Sequence, residues 1–127
     1  NAELRKKRIS NDNLDKCLTR SINQIKEYFT NQRKTFNIKL EMPMPPFYSK
    51  VLKEVRNIPY GEVRSYKDIA SKVGSPNAYR ATGTANSKNM IPIIIPCHRV
   101  IGKNGDLGRY GGGLKIKKYL LKMEGVI

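Results

Sequence analysis

The sequence is poor in the residues that build metal centres and disulfide frameworks: it has one His, 2 Cys and no Trp. A zinc site of the usual kind draws four ligands from Cys and His, and a disulfide scaffold needs several Cys pairs. Both are excluded, and a reduced protein with no bound metal is expected. Long apolar runs are also missing, since none exceeds that of Ile93-Ile94-Ile95, held between Pro92 and Pro96, whereas a spanning helix needs about 18 apolar residues. No membrane partner is expected. No Arg-flanked apolar leader opens the sequence, so the expected location is the cell interior, cytoplasmic, or nuclear in a eukaryote. Acidic residues are scarce as well, with 10 Asp+Glu against 25 Lys+Arg in 127 residues, a net charge of +15.

That excess is more than solubility requires, and it points to a polyanion partner. Residues 1–46 hold 10 basic and 5 acidic side chains and residues 47–127 hold 15 and 5, so the charge is not confined to one end. The length fits one domain with a helical attachment. Asn1 to Asn11 reads as a polar lead-in. Leu14, Cys17, Leu18, Ile22, Ile25, Tyr28 and Phe29 then recur at helical steps, predicting an amphipathic helix that needs a partner surface, with Cys17 as packing. Pro43, Pro45 and Pro46 punctuate the chain. Pro46 can open a second helix whose Phe47, Val51, Leu52 and Val55 face inward.

Residues 59–88 carry sharper signals. Pro59-Tyr60-Gly61 marks a turn, Ser65-x-x-Asp68 is a capping box for a helix carrying Tyr66, Ile69, Ala70 and Val73, and Gly74 can end it. Ser75-Pro76 predicts the start of another helix, running from Asn77 to about Lys88. Helix, tight turn and helix make a helix-turn-helix candidate. The second helix is lined with small residues, Ala78, Ala81, Gly83 and Ala85, and Arg80 is its one long cation before Lys88. Small residues permit close approach either to a neighbouring helix or to a nucleic-acid groove, and the basic charge favours DNA.

Cys97 follows the Ile-rich run in Pro96-Cys97-His98-Arg99-Val100. A thiol is mostly protonated at neutral pH, and an adjacent imidazole and a cation such as Arg99 would raise its thiolate fraction. On an extended strand, however, neighbours point to opposite faces, so a local turn or a bridging water is needed to join Cys97 to His98. A buried structural cysteine is the other reading. Gly111-Gly112-Gly113 precedes a basic C-terminal helix with Glu124 in its last turn, where a carboxylate opposes the helix dipole unless a cation or donor meets it. His98 is the histidine available, giving a Glu124–His98–water–Cys97 relay. A solvent-exposed Glu124 at a frayed end is the alternative.

Taken together, Pro96-Cys97-His98-Arg99-Val100, Ile58-Pro59-Tyr60-Gly61-Glu62-Val63 with Ser65-Tyr66, Tyr79-Arg80-Ala81-Thr82-Gly83, Asn89, and Gly108-x-Tyr110-x-Gly112-Gly113-Leu114 leading to Lys117 and Glu124-Gly125 resemble the O6-alkylguanine-DNA alkyltransferases. The resemblance covers roughly residues 44–127. It implies an α+β, mostly helical fold: a winged helix-turn-helix-like C-terminal alkyltransferase domain over residues 46–127, after a truncated N-terminal helical segment, residues 1–45, that includes the connecting helix.

The implied function is direct-reversal DNA repair, an irreversible single-turnover transfer of the alkyl group from O6-alkylguanine to Cys97, without cofactor. The implied partner is double-stranded DNA entered through its minor groove by a monomer that flips the damaged base into a pocket. Cys97 is the implied nucleophile, activated by His98 and Glu124. Tyr66 presses on the rotated phosphate and donates to the departing guanine, Asn89 braces the active-site turn, and Lys117 contacts the Cys97 backbone. Arg80 fills the gap left by the base, with Ser65, Ala81 and Gly83 at the DNA. Val100, Tyr110, Gly111, Gly112 and Asn86 line the substrate pocket, where the backbone N–H of Gly111 and the carbonyls of Cys97 and Val100 read the guanine.

Three positions depart from the family pattern. Asn86 replaces a larger apolar residue, Gly111 a frequent Ser and Arg109 a frequent Asn, so alkyl-group preference does not transfer. A non-catalytic winged-helix DNA binder with a packed Cys97 is the second reading. A cysteine hydrolase is a distant third.

Overall fold

Residues 16, 18–40, 43–108 and 113–127 are described in the computed structural model, and the chain separates into two units, Asn1–Leu40 and Glu41–Ile127. Leu14, Cys17, Arg109, Tyr110, Gly111 and Gly112 lie outside the described residues.

In the first unit residues 18–29 form helix α1. Its expected apolar stripe is only partly covered, because Leu18, Ile22 and Phe29 are 50%, 51% and 41% exposed while Tyr28 and the polar Gln24 are buried. Tyr28 meets Phe36 and the edge of Phe29. Gln24 is turned inward by a paired side-chain and backbone hydrogen bond with Asn37.

In the second unit α2, Pro46–Arg56, starts where proline's fixed φ and missing N–H are harmless, and it buries Val51, Leu52 and Val55. A turn closed by Glu62 N–H on the Pro59 carbonyl leads to strand β1, Arg64–Ser65. Ser65 caps α3, Tyr66–Lys72: its hydroxyl accepts from Asp68 N–H at 3.0 Å and the Asp68 carboxylate accepts from Ser65 N–H at 3.1 Å. The helix closes with Gly74 N–H on the Ser71 carbonyl and Ser75 N–H on that of Ala70, a Schellman motif.

The next helix begins later than its sequence suggested. Ser75-Pro76 turns the chain, with Ala78 N–H bonded to the Ser75 carbonyl, and α4 spans Tyr79–Ser87. It packs against both α2 and α3. Thr82, Ala85 and Asn86 face inward, while Arg80, Ala81, Thr84 and Ser87 are exposed.

Strand β2, Val100–Ile101, pairs in parallel with β1, Arg64 opposite Val100 and Ser65 opposite Ile101. These strands are the only sheet among the described residues. It ties the segment after Cys97 to the start of α3. The last helix, α5, covers Leu114–Met123. No helix among the described residues is long and apolar enough to cross a membrane.

Candidate active site

Pro96 sits at φ −80°, ψ 65°, and Cys97 N–H reaches back to the Ile95 carbonyl at 2.8 Å, an inverse γ-turn. Cys97–Arg99 then wind into one 3₁₀ turn, closed by Arg99 N–H on the Pro96 carbonyl at 2.9 Å. The polar tripeptide is therefore not a strand, and the alternation that would separate Cys97 from His98 does not apply. Upstream, Ile93 takes φ 75°, a region that costs a β-branched residue about 1–3 kcal/mol and is held only by its surroundings.

Two asparagines, Asn86 in the last turn of α4 and Asn89 just after it, brace this segment. Asn89 Nδ2 donates to the Ile95 carbonyl at 2.8 Å and Asn89 Oδ1 accepts from Ile91 N–H at 3.0 Å, while Asn86 Nδ2 donates to the Cys97 carbonyl at 3.2 Å. Asn86 Oδ1 is buried with no hydrogen-bond partner among the described residues. Cys97 carries its sulfur as a thiol and is 7% exposed.

Glu124 is buried rather than frayed. The helix C-terminus around it is a second Schellman motif, Gly125 N–H to the Lys122 carbonyl at 3.1 Å and Val126 N–H to that of Leu121 at 2.9 Å. Gly125 takes φ 82°, which glycine alone adopts without strain. This fixes Glu124 as the C-cap residue. Its Oε2 meets His98 Nε2 at 2.7 Å, and Arg99 grips both oxygens, Nε to Oε1 at 2.7 Å and Nη2 to Oε2 at 2.9 Å. The third guanidinium nitrogen of Arg99, Nη1, donates to the Ile58 carbonyl at 2.8 Å, and the group lies 5.6 Å from the Tyr60 ring centroid. The dipole conflict expected of an acid at this end is thus met by a cation and an imidazole.

A carboxylate only accepts, so His98 Nε2 carries the proton and Nδ1 holds the lone pair. Nδ1 is buried with no hydrogen-bond partner among the described residues. Burial pushes the pKa of His98 below its ordinary 6.5, the positive Arg99 and Lys117 push the same way, and the Glu124 hydrogen bond opposes them. The imidazole is a neutral base at physiological pH.

The resemblance placed Lys117 on the Cys97 backbone. Its ammonium instead donates to the carbonyls of Val100, at 2.6 Å, and Leu107. The Cys97 carbonyl is taken by Asn86, and that of Val100, expected to face substrate, already accepts from Lys117. Lys117 is fully buried, and burial pulls its pKa from 10.5 to about 8 against the opposing pull of Cys97 and Asp106.

Tyr66 is seated by two glycines. A Cβ on Gly83 would stand 3.7 Å from its ring, and one on Gly108 would stand 2.9 Å from its hydroxyl. Leu107, beside Gly108, is held by Lys117, which links the seat of Tyr66 to α5. Of the expected site residues, Cys97, His98, Glu124, Asn86, Asn89, Val100 and Lys117 gather about one turn. Arg80 and Ala81 stand on the exposed face of α4, and the Ser65 hydroxyl is committed to its cap. The residue that sequence reasoning misplaced is Arg99: expected beside the thiol, it belongs to the acid. The available signal was a carboxylate in a helix's last turn that needed a cation.

A thiol on a 3₁₀ turn, next in sequence to a buried imidazole paired with a carboxylate, is carried here on a basic helical domain. Residues 46–126 match the family model described as 6-O-methylguanine DNA methyltransferase, DNA binding domain, and the chain belongs to that family. It is 53% identical over 102 residues to the constitutive methylated-DNA--protein-cysteine methyltransferase of Bacillus subtilis, covering 80% of this chain and 62% of that protein. Among solved structures it is similar to Mycobacterium tuberculosis OGT in complex with DNA, with TM-score 0.81, 45% identity and coverage of 83% of this chain and 64% of that one. It is also similar to S. pombe Atl1 in complex with damaged DNA containing O6-carboxymethylguanine, with TM-score 0.59, 37% identity and coverage of 66% and 80%. The chain thus spans a little under two thirds of the B. subtilis and M. tuberculosis proteins.

Proposed function

We propose that this chain repairs DNA by direct reversal, taking the alkyl group from O6-alkylguanine onto Cys97 once and irreversibly. The observation that carries the reading is the buried His98–Glu124 pair at 2.7 Å, next in sequence to a thiol held on a tight turn. The thiol proton passes through a bridging water to the lone pair of His98 Nδ1, and Glu124 stabilises the imidazolium formed. The Cys97 thiolate attacks the alkyl carbon in line, forming a C–S bond as the carbon–O6 bond breaks. That bond's electron pair leaves with the guanine, which takes a proton with the help of the Tyr66 hydroxyl. A thioether has no easy leaving path, so the protein is consumed without cofactor.

DNA is engaged as a winged helix-turn-helix-like module acting as a monomer, with α3, the Gly74 turn and α4 as its helical part. The exposed short side chains of α4 approach the minor groove, and Arg80 fills the space of the extruded nucleotide. Relatives found with DNA and the basic charge of this chain support that partner.

The test is intact-mass measurement after incubation with duplex DNA containing O6-methylguanine. Wild type gains one methyl group on Cys97 and no more; Cys97→Ser gains none and keeps its DNA affinity. A wild-type protein that binds the duplex and never gains the methyl group is instead a non-catalytic DNA binder with a packed cysteine.

A further inference from the structure

We infer that Arg99 is a positioning residue that keeps His98 in its basic, neutral form by completing the charge of Glu124; this deepens the alkyl-transfer reading and rests on it. The argument is a charge count in a dry place. Glu124 and His98 have side chains that are 0% exposed, and Arg99 is 6% exposed. A group of this kind is most stable when its net charge is zero, because an uncompensated buried ion is costly. With the guanidinium on both carboxylate oxygens, Glu124 and Arg99 already sum to zero, and His98 has no reason to take a proton.

Without Arg99 the carboxylate would draw its charge balance from the imidazole that it already touches at 2.7 Å. His98 would become imidazolium, Nδ1 would carry a hydrogen, and the lone pair that accepts the Cys97 proton would be gone. The other charged groups facing this cluster do not replace Arg99. Lys117 from α5 donates to the carbonyls of Val100 and Leu107 and is countered by Asp106. Tyr60 sets its ring against the guanidinium and donates its hydroxyl to the Met123 carbonyl. Geometry favours the assignment too: the fork is anchored at its far end by the Ile58 carbonyl, so it approaches the acid in one orientation.

His98 is the sole histidine in the sequence, so its ring signals in a proton–nitrogen NMR titration need no assignment and report its charge independently of alkyl transfer. In wild type the imidazole stays neutral through and below its ordinary 6.5; titration at or above that value overturns the proposal even if no variant folds. Arg99→Met raises the apparent pKa by about 1–3, the effect of an unscreened opposite charge at contact distance. Its rate of methyl transfer is then lost on the acid side and recovers with increasing pH. Arg99→Lys keeps the charge and the low pKa. The double variant Arg99→Met/Glu124→Gln removes both charges and returns His98 to neutrality, although transfer stays slow. An Arg99→Met protein whose histidine titrates as in wild type, with transfer reduced equally at every pH, assigns Arg99 a packing role and overturns the proposal. Failure of the repair reading looks different: wild type has the neutral histidine and transfers no methyl group.

Discussion

Lys117 shows how much one side chain can cost and what it holds in return. It is buried on the inner face of α5 with its ammonium on two carbonyls, which ties Val100 to Leu107. The folded chain releases the Lys117 proton near pH 8 and the unfolded chain near 10.5, so the unfolded state binds more protons between those values and stability rises with pH across that window. His98 acts in the same sense lower down: its folded pKa lies below 6.5, so stability falls as pH drops through 6.5, where only the unfolded chain takes up the proton. Urea midpoints followed across both windows check the two effects, and Lys117→Met should abolish the alkaline rise alone. Little of this was legible in the sequence. Spacing puts Lys117, Leu120, Leu121 and Glu124 on one face of a helix, but a Lys and a Glu at its ends read as solvated until the partners appear. Arg99 lies next to His98 in sequence and 25 residues from the acid that it holds, a pairing that depends on how α5 is laid down.

The elements written in local chemistry were the readable ones. Pro46 begins α2, the Ser65–Asp68 box begins α3 and Gly74 ends it, because caps depend on residues within one turn of each other. Two elements departed from expectation for reasons that are not local. α4 starts at Tyr79 because Ser75–Ala78 is spent on a turn. The Cys97 segment winds up instead of extending because Asn86 of α4 and Asn89 just beyond it take the carbonyls that a strand partner would have used. The seat of Tyr66 is likewise a meeting of elements, α3 against Gly83 of α4 and against Gly108. Gly108→Ala adds a Cβ 2.9 Å from the Tyr66 hydroxyl at a residue with φ 68°, and an alanine at positive φ costs about 1 kcal/mol or more before any clash. We expect methyl transfer from duplex DNA to slow at least about tenfold, the effect of losing about 1.4 kcal/mol at the transition state, while a modest drop in thermal midpoint shows the fold intact. Single-turnover rates on methylated duplex measure it, and an unchanged rate would remove Tyr66 from the reaction.

Across the whole molecule the legible quantity was charge. A net +15 distributed over both parts of the sequence predicts binding dominated by phosphates, in which each neutralised phosphate contributes about −0.9 to the slope of log affinity against log salt. Fluorescence titrations of unmodified duplex at several salt concentrations should give a steep negative slope with little dependence on sequence, and a flat slope would exclude the electrostatic mode. Affinity of that kind brings the protein to any stretch of duplex. Under the proposed function, selection of the lesion would come after this first contact, and there the construction of α4 matters. Braced from behind by α2 and α3, it offers the exposed Ala81, Thr84 and Ser87 around Arg80, and two of its hydroxyls are already turned back onto the helix's own carbonyls. Methyl groups and tethered hydroxyls have few rotamers to surrender on contact. On that proposal such a surface would test one nucleotide after another at small entropic penalty, leaving the single long arginine to order itself only where a base has yielded.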